Sequence, residues 1–184
     1  WTNGPYVVTS SPWANGGTVN FAPQQGSTIG IETGDQRLQQ VVYRNGSLYT
    51  TQTVFLPAST PTRAAVQWWE ISPRGDILQR ARIDDPSGQT FYAFPSIAVN
   101  QQRDVLIGYA RFSSMTYASG AYAFRAAVDT QNTLRTETIF KAGETSYYRS
   151  GLVADGGIGS NRWGDYSNTV VDPSDDCSMW TIQE

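Results

Sequence analysis

Along this chain apolar and polar residues group into short runs, and a strand, turn, strand unit recurs three times. The units are 38–54 around Asn45-Gly46, 95–113 around residues 100–103, and 168–184 around residues 172–176. Asn-Gly tolerates positive φ and suits the tight turn of a β-hairpin. Behind the first unit follow 63–72, rich in Val66, Trp68, Trp69 and Ile71, and then 76–83 after Pro73-Arg74-Gly75. Behind the second follow 121–129 and 133–140, so 38–83 and 95–143 each predict four consecutive antiparallel strands. The equivalent positions Val42, Ala98 and Val170 are unequally spaced, which puts a long loop insertion at 144–167. Repetition of this kind speaks for architecture before it speaks for chemistry.

Polarity grades across each unit. Gln40-Val41-Val42-Tyr43 and Val105-Leu106-Ile107-Gly108-Tyr109 are nearly continuous apolar runs, which predicts strands covered on both faces. In 77–83, by contrast, Leu78, Arg80 and Arg82 share one face, and 133–138 is mostly polar. Buried inner strands and wet outer ones predict the four-stranded blades of a β-propeller; a β-sandwich is the competing all-β arrangement. Residues 1–37 would then supply late strands of a preceding blade, and 168–184 the first half of a further one. That is roughly three blades, where a closed ring takes about 4 to 8. A chain running from Trp1 to a strand-like end at Glu184 reads as a piece of a longer protein. Missing blades, from the parent chain or from other copies of this one, are therefore expected partners.

Composition narrows the functional classes. Hydrophobic content of 39% with 12% aromatic residues predicts a packed globular chain. A net charge of −3 offers no basic face, so nucleic acid is not an expected partner. No stretch approaches the roughly 20 apolar residues of a spanning helix, so membrane insertion is not expected either. With no His in the chain, imidazole-based triads and His-ligated metals are excluded, and no cofactor is expected. Cys177 is the single cysteine and has no His to activate it.

The densest local signal is Asn161-Arg162-Trp163-Gly164-Asp165-Tyr166-Ser167-Asn168-Thr169-Val170-Val171-Asp172-Pro173, followed by 179–184. It resembles a segment of secreted bacterial propeller proteins of the sialidase-like (BNR-repeat) kind, and 94–100 with 104–109 looks like the preceding blade of the same group. The resemblance covers about a third of the chain. It implies a six- or seven-bladed ring, a secreted or cell-surface location and glycan-related roles, and it carries over no catalytic residue. The family's Asp box has the form Ser-x-Asp-x-Gly-x-Thr-Trp. Its nearest match, 174–180, lacks the Gly and brings Trp180 one place early, so it reads as a polar turn.

The candidate site lies on the loops that lead into first strands and join second to third strands. The longest of these gathers Tyr147, Tyr148, Arg149, Arg162, Trp163 and Asp165, aromatics and charges able to stack on a sugar and bond its hydroxyls. The same residues also suit packing: Trp163 as a wedge between blades, Arg162 with Asp165 as an ion pair, Tyr147 and Tyr148 as a cap on the core. Read as an exo-sialidase-like glycoside hydrolase, the chain would draw its acid from Asp165, Asp84 or Asp85 and its nucleophile from Tyr166. Asp172, Asp175 and Asp176 offer oxygen ligands of the kind Ca²⁺ takes, and are also ordinary turn formers. The leading expectation is a binding or scaffold module for a glycan or protein ligand. A hydrolase and a self-assembling structural protein are the rivals.

Overall fold

The computed structural model describes residues 12–18, 21–149, 159–164 and 166–184. Twelve strands and no helix occur among them. Two short strands, β1 (Ala22–Gln24) and β2 (Ser27–Ile31), form a hairpin. Next come β3 (Gln40–Arg44), β4 (Ser47–Leu56), β5 (Arg63–Ile71) and β6 (Ile77–Ile83), hydrogen-bonded in that order into one antiparallel sheet. A second antiparallel sheet runs β7 (Thr90–Val99), β8 (Val105–Ser113), β9 (Thr116–Arg125) and β10 (Thr138–Lys141). A last hairpin joins β11 (Asn168–Val171) and β12 (Met179–Ile182). The chain is all-β, built of several antiparallel sheets, none of which closes on itself among the described residues.

The two four-stranded sheets bury their facing sides against each other. Pairing of Tyr49 with Glu70, Trp68 with Thr51 and Val66 with Thr53 places Tyr49, Val66 and Trp68 on one face of the first sheet. They meet Ile97, Val99, Val105, Ile107 and Tyr109 of the second in one apolar cluster. Truncating a side chain as large as Trp68 in such a core costs on the order of 3–5 kcal/mol. The opposite face of the second sheet carries the β11–β12 hairpin, and Gly108 is the reason it can come close. A Cβ there would run into the Thr181 hydroxyl, the Gln183 amide and Thr169. In the space left free, Ser96 Oγ and Thr169 Oγ1 lie 2.7 Å apart, Thr169 Oγ1 and Thr181 Oγ1 2.9 Å apart, and Gln183 Nε2 donates to both Ser96 and Thr181.

The three hairpin turns interlock at one end of this stack. Asn45 Nδ2 donates to the Asn100 carbonyl, and Arg103 Nη2 returns a bond to the Asn45 carbonyl. Asn100 Nδ2 reaches the Cys177 carbonyl, Gln101 N–H reaches the Asp176 carbonyl, and Arg44 of the first turn pairs with Asp176 of the third. Each turn holds one non-glycine residue at positive φ, Asn45 (50°), Arg103 (68°) and Asp176 (53°). Asn and Asp tolerate that region better than most residues.

Several boundaries differ from expectation. β7 begins at Thr90, five residues before Pro95, because a bulge between Ala93 and Ser96 lets the ladder continue past the proline. β9 spans Thr116–Arg125 rather than 121–129, and β10 shrinks to Thr138–Lys141. Asp129 accepts the Ala126 N–H and pairs with Arg135, which folds the intervening chain into turns. β3 is covered on one face only: Val42 packs on the core, while Val41 is 56% and Tyr43 66% exposed. The N-terminal hairpin joins neither large sheet. Ala22 and Ile31 pack on Phe55, Ala64, Phe91 and Phe112, so β1–β2 caps an end shared by both sheets. The parts of 1–37 at 1–11 and 19–20 lie outside the described residues.

Gly108→Val should destabilise the fold by about 1–3 kcal/mol through overpacking, with chemical shifts perturbed first in β11 and β12. Urea unfolding together with amide NMR reads both effects.

Candidate functional site

At the end of the stack opposite the interlocked turns lies a cleft of about 870 Å³. Its geometry starts from the bulge in β7. Phe94 sits at φ 56°, a region that bulky side chains rarely occupy. Its N–H donates to Thr53 Oγ1 (3.1 Å) and its carbonyl accepts from Ser167 Oγ (3.0 Å), so two other elements hold it there. Its ring rests against Gly34 and Gly164, themselves at φ 68° and 69°. A side chain at Gly164 would collide with that ring. Three segments far apart in sequence are thereby pinned into one wall. The other walls include Glu32, Asp35, Arg37, Gln39, Tyr166 and Gln183.

The described part of the long loop is held by two amide side chains. Gln24 Oε1 accepts the Tyr147 N–H (2.6 Å), while Gln24 Nε2 donates to the Tyr147 (2.7 Å) and Ile29 (2.8 Å) carbonyls. Fully buried Asn161 donates to the Gly30 and Tyr147 carbonyls and accepts the Arg149 N–H. These amides do what a neighbouring strand would do for an irregular backbone. The Tyr147 ring stands perpendicular to Trp163 at 4.8 Å, and Trp163 stands edge-on to Phe112 at 6.2 Å. Trp163 Nε1 donates to the Glu184 carbonyl, and Gly164 N–H to Glu184 Oε2 (2.8 Å). Tyr147 and Trp163 therefore act as packing anchors.

The residues expected to bind separate into two groups. Arg162 and Trp163 line the cleft, joined by Tyr166, which is 81% exposed. Tyr147, Tyr148 and Arg149 do not line it, and Tyr148 and Arg149 stand on the surface. Asp165 lies outside the described residues. Asp84 is engaged by Arg63 in a two-pronged ion pair (2.7 and 2.8 Å), both side chains mostly buried. Asp85 accepts the Ser87 N–H and hydroxyl and the Thr90 N–H. Those bonds, the Ser87 hydroxyl foremost, hold its carboxyl below the ordinary range. Neither aspartate lines the cleft.

Each carboxylate of the third turn has its own partners. Asp172 accepts from the Ser174 N–H and hydroxyl and from the Trp180 indole N–H (3.0 Å). Asp175 accepts from the Cys177 and Ser178 N–H groups and the Ser178 hydroxyl, and Asp176 pairs with Arg44. No group of three or more His, Cys, Asp and Glu able to hold a metal ion occurs among the described residues.

Sequence reading missed two buried tyrosines that each donate to a glutamate. Tyr49 donates to Glu70 at 2.9 Å, and burial, reinforced by that carboxylate, pushes the phenol up to about 12. Tyr109 donates to Glu137 at 3.3 Å beside Arg111, and burial raises it too. Both tyrosines stand on the second strand of their sheet, and that shared position was the available signal. Both remain protonated donors at neutral pH.

Comparison with protein-family models, with curated proteins and with solved structures finds no match for this chain.

Asp172 and Asp175 are both held below the ordinary carboxylate value, chiefly by the serine hydroxyls they accept from. A depressed folded pKa favours folding above the ordinary value, and that contribution disappears as pH falls through the folded one. In an acid titration followed by NMR, the amides of Ser174, Cys177 and Ser178 should move together only below about pH 4. Asp175→Asn should abolish the Cys177 and Ser178 part of the transition. Movement of these amides at higher pH would contradict the geometry.

Proposed function

We propose that this chain is a binding module of the sialidase-like β-propeller kind, acting outside the cell, and that its cleft takes a glycan. Three features support the blade reading: the strand order within each sheet, the face-to-face stacking of successive layers, and the meeting of the innermost turns at one end. In a propeller the loops leading into first strands share a face around the axis, and here the segments before β3 and β11 line the cleft together with the bulge of β7. Support for a glycan comes from the walls. An exposed aromatic ring, Tyr166, stands beside the planar polar groups of Gln39, Asn168 and Gln183. Charges of both signs surround them, with Arg37 tied to Asp35 through two bonds of 2.7 and 2.9 Å. An uncharged or mixed-charge saccharide suits that lining better than a single strong anion.

The observation that carries the proposal is the cleft itself, built by the Phe94 bulge and walled by exposed polar and aromatic groups. Asp84 and Asp85 are unsuited to hydrolysis, because retaining and inverting mechanisms both need a carboxylic acid kept protonated near neutral pH. Asp85 is held ionised, and Asp84 is committed to Arg63.

A glycan array followed by calorimetry tests the reading. At least one uncharged or mixed-charge oligosaccharide should bind, and Tyr166→Ala should weaken it at least tenfold, about 1.4 kcal/mol, with unchanged thermal unfolding. Absence of binding across the array, or affinity untouched by both Tyr166→Ala and Gln39→Ala, overturns it. Release of reducing sugar by the native chain would establish the hydrolase instead.

A further inference from the structure

The first of the interlocked turns carries a reactive dipeptide. Asn45-Gly46 joins β3 to β4 between the paired residues Arg44 and Ser47, with both residues exposed and at positive φ, 50° and 82°. Glycine has no Cβ to shield its backbone nitrogen, and nothing lies within 4 Å of where a Cβ of Gly46 would stand. That nitrogen is the nucleophile best placed along the chain to attack the Asn45 side-chain amide carbon, Cγ, and close a five-membered ring.

Both reacting groups are held by the second repeat. Asn45 Nδ2 donates to the Asn100 carbonyl at 3.1 Å, which fixes the amide that would be attacked. Arg103 Nη2 donates to the Asn45 carbonyl at 3.2 Å, and that carbonyl shares a rigid peptide plane with the Gly46 nitrogen. Neither group turns toward the other without giving up a bond to the neighbouring layer. The Asn100 carbonyl in turn shares its plane with the Gln101 N–H, which donates to Asp176 of the third turn. One amide side chain therefore steadies the peptide unit that ties the second repeat to the third.

We propose that Asn45 is a conformation-gated deamidation site, at which opening of the interlocked turns permits a covalent change that then keeps them open. In the open turn the Gly46 nitrogen gives up its proton and bonds to Asn45 Cγ, the Cγ–Nδ2 bond breaks, and Nδ2 leaves as ammonia. Water then adds to either carbonyl of the succinimide ring and opens it to aspartate or isoaspartate. The step is a hydrolysis and needs no oxidant or cofactor. Each product replaces the Nδ2 donor with carboxylate oxygens, which only accept, so the Asn100 carbonyl loses its partner. Isoaspartate also routes the backbone through the former side chain, adding a methylene to a tight turn.

The full chain is incubated at mildly alkaline pH, native and in urea above its unfolding transition, and peptide mapping with isoaspartyl methyltransferase labelling reads the product at Asn45. The native chain should react about tenfold more slowly than the unfolded one, as two lost hydrogen bonds imply. Arg103→Ala should speed the native reaction at least about threefold. It should leave Asn15-Gly16, bridged to Asp35 at the cleft end of the stack, at its own rate. The modified chain, more negative and separable by anion exchange, should show faster amide exchange at Gln101. Equal rates in the native and unfolded chain overturn the gate, as does a folded Arg103→Ala variant with an unchanged rate at Asn45. Unchanged Gln101 exchange in the modified chain overturns the lasting release of the turns. The first and last of these readouts need no substitution, so they decide the matter even where Arg103→Ala does not fold.

Discussion

Burial of the two four-stranded sheets against each other is the constraint on which the rest of this structure depends. Tyr49, Val66 and Trp68 on one side and Ile97, Ile107 and Tyr109 on the other fix how the sheets face, and every later feature inherits that alignment. With the sheets aligned, their first turns fall close enough for Asn45, Asn100 and Arg103 to interlock. At the opposite end the same alignment brings Thr53 of β4 to the N–H of Phe94 in β7. The bulge that shapes the cleft is thus held partly by the neighbouring layer, and site and scaffold are one mechanical unit.

The two faces of the second sheet are stabilised by different physics. Toward the first sheet the contact is apolar and its strength scales with buried area. Toward the β11–β12 hairpin it is a network of hydroxyl and amide groups over a glycine, directional and intolerant of added volume. Satisfied buried polar groups contribute modestly to stability but strongly to specificity of position, since leaving one unpaired costs more than the bond gains. Such a layer is well placed without being thickly covered. That is consistent with its exposed outer residues Trp180 and Ile182.

Much of the scaffold was legible in the sequence and little of the site was. The Asn45-Gly46 turn, the β3–β6 strands and the β11–β12 hairpin follow from local pattern: alternation, turn dipeptides and apolar runs. Where the pattern misled, a longer-range contact had decided. β7 begins at Thr90 because a bulge absorbs Pro95, and β10 is short because Asp129 and Arg135 pair across the preceding loop. The continuous apolar run in β3 suggested two covered faces, yet run length cannot say what a neighbouring layer covers. In the site, Trp163 and Arg162 were found by composition, whereas the amides that position the loop, Gln24 and Asn161, act across 123 and 131 residues of sequence. Nothing local to a glutamine announces that it will serve as a strand partner.

The central claim is that the third repeat is a true layer on the second sheet, seated by the Ser96, Thr169 and Thr181 hydroxyls over Gly108. A double-mutant cycle of Ser96→Ala and Thr169→Val, read by urea unfolding, addresses it most directly. A layer seated in this way predicts a coupling energy of about 1 kcal/mol between the two positions. Additivity to within about 0.3 kcal/mol would mean that the two hydroxyls do not meet, and would contradict it.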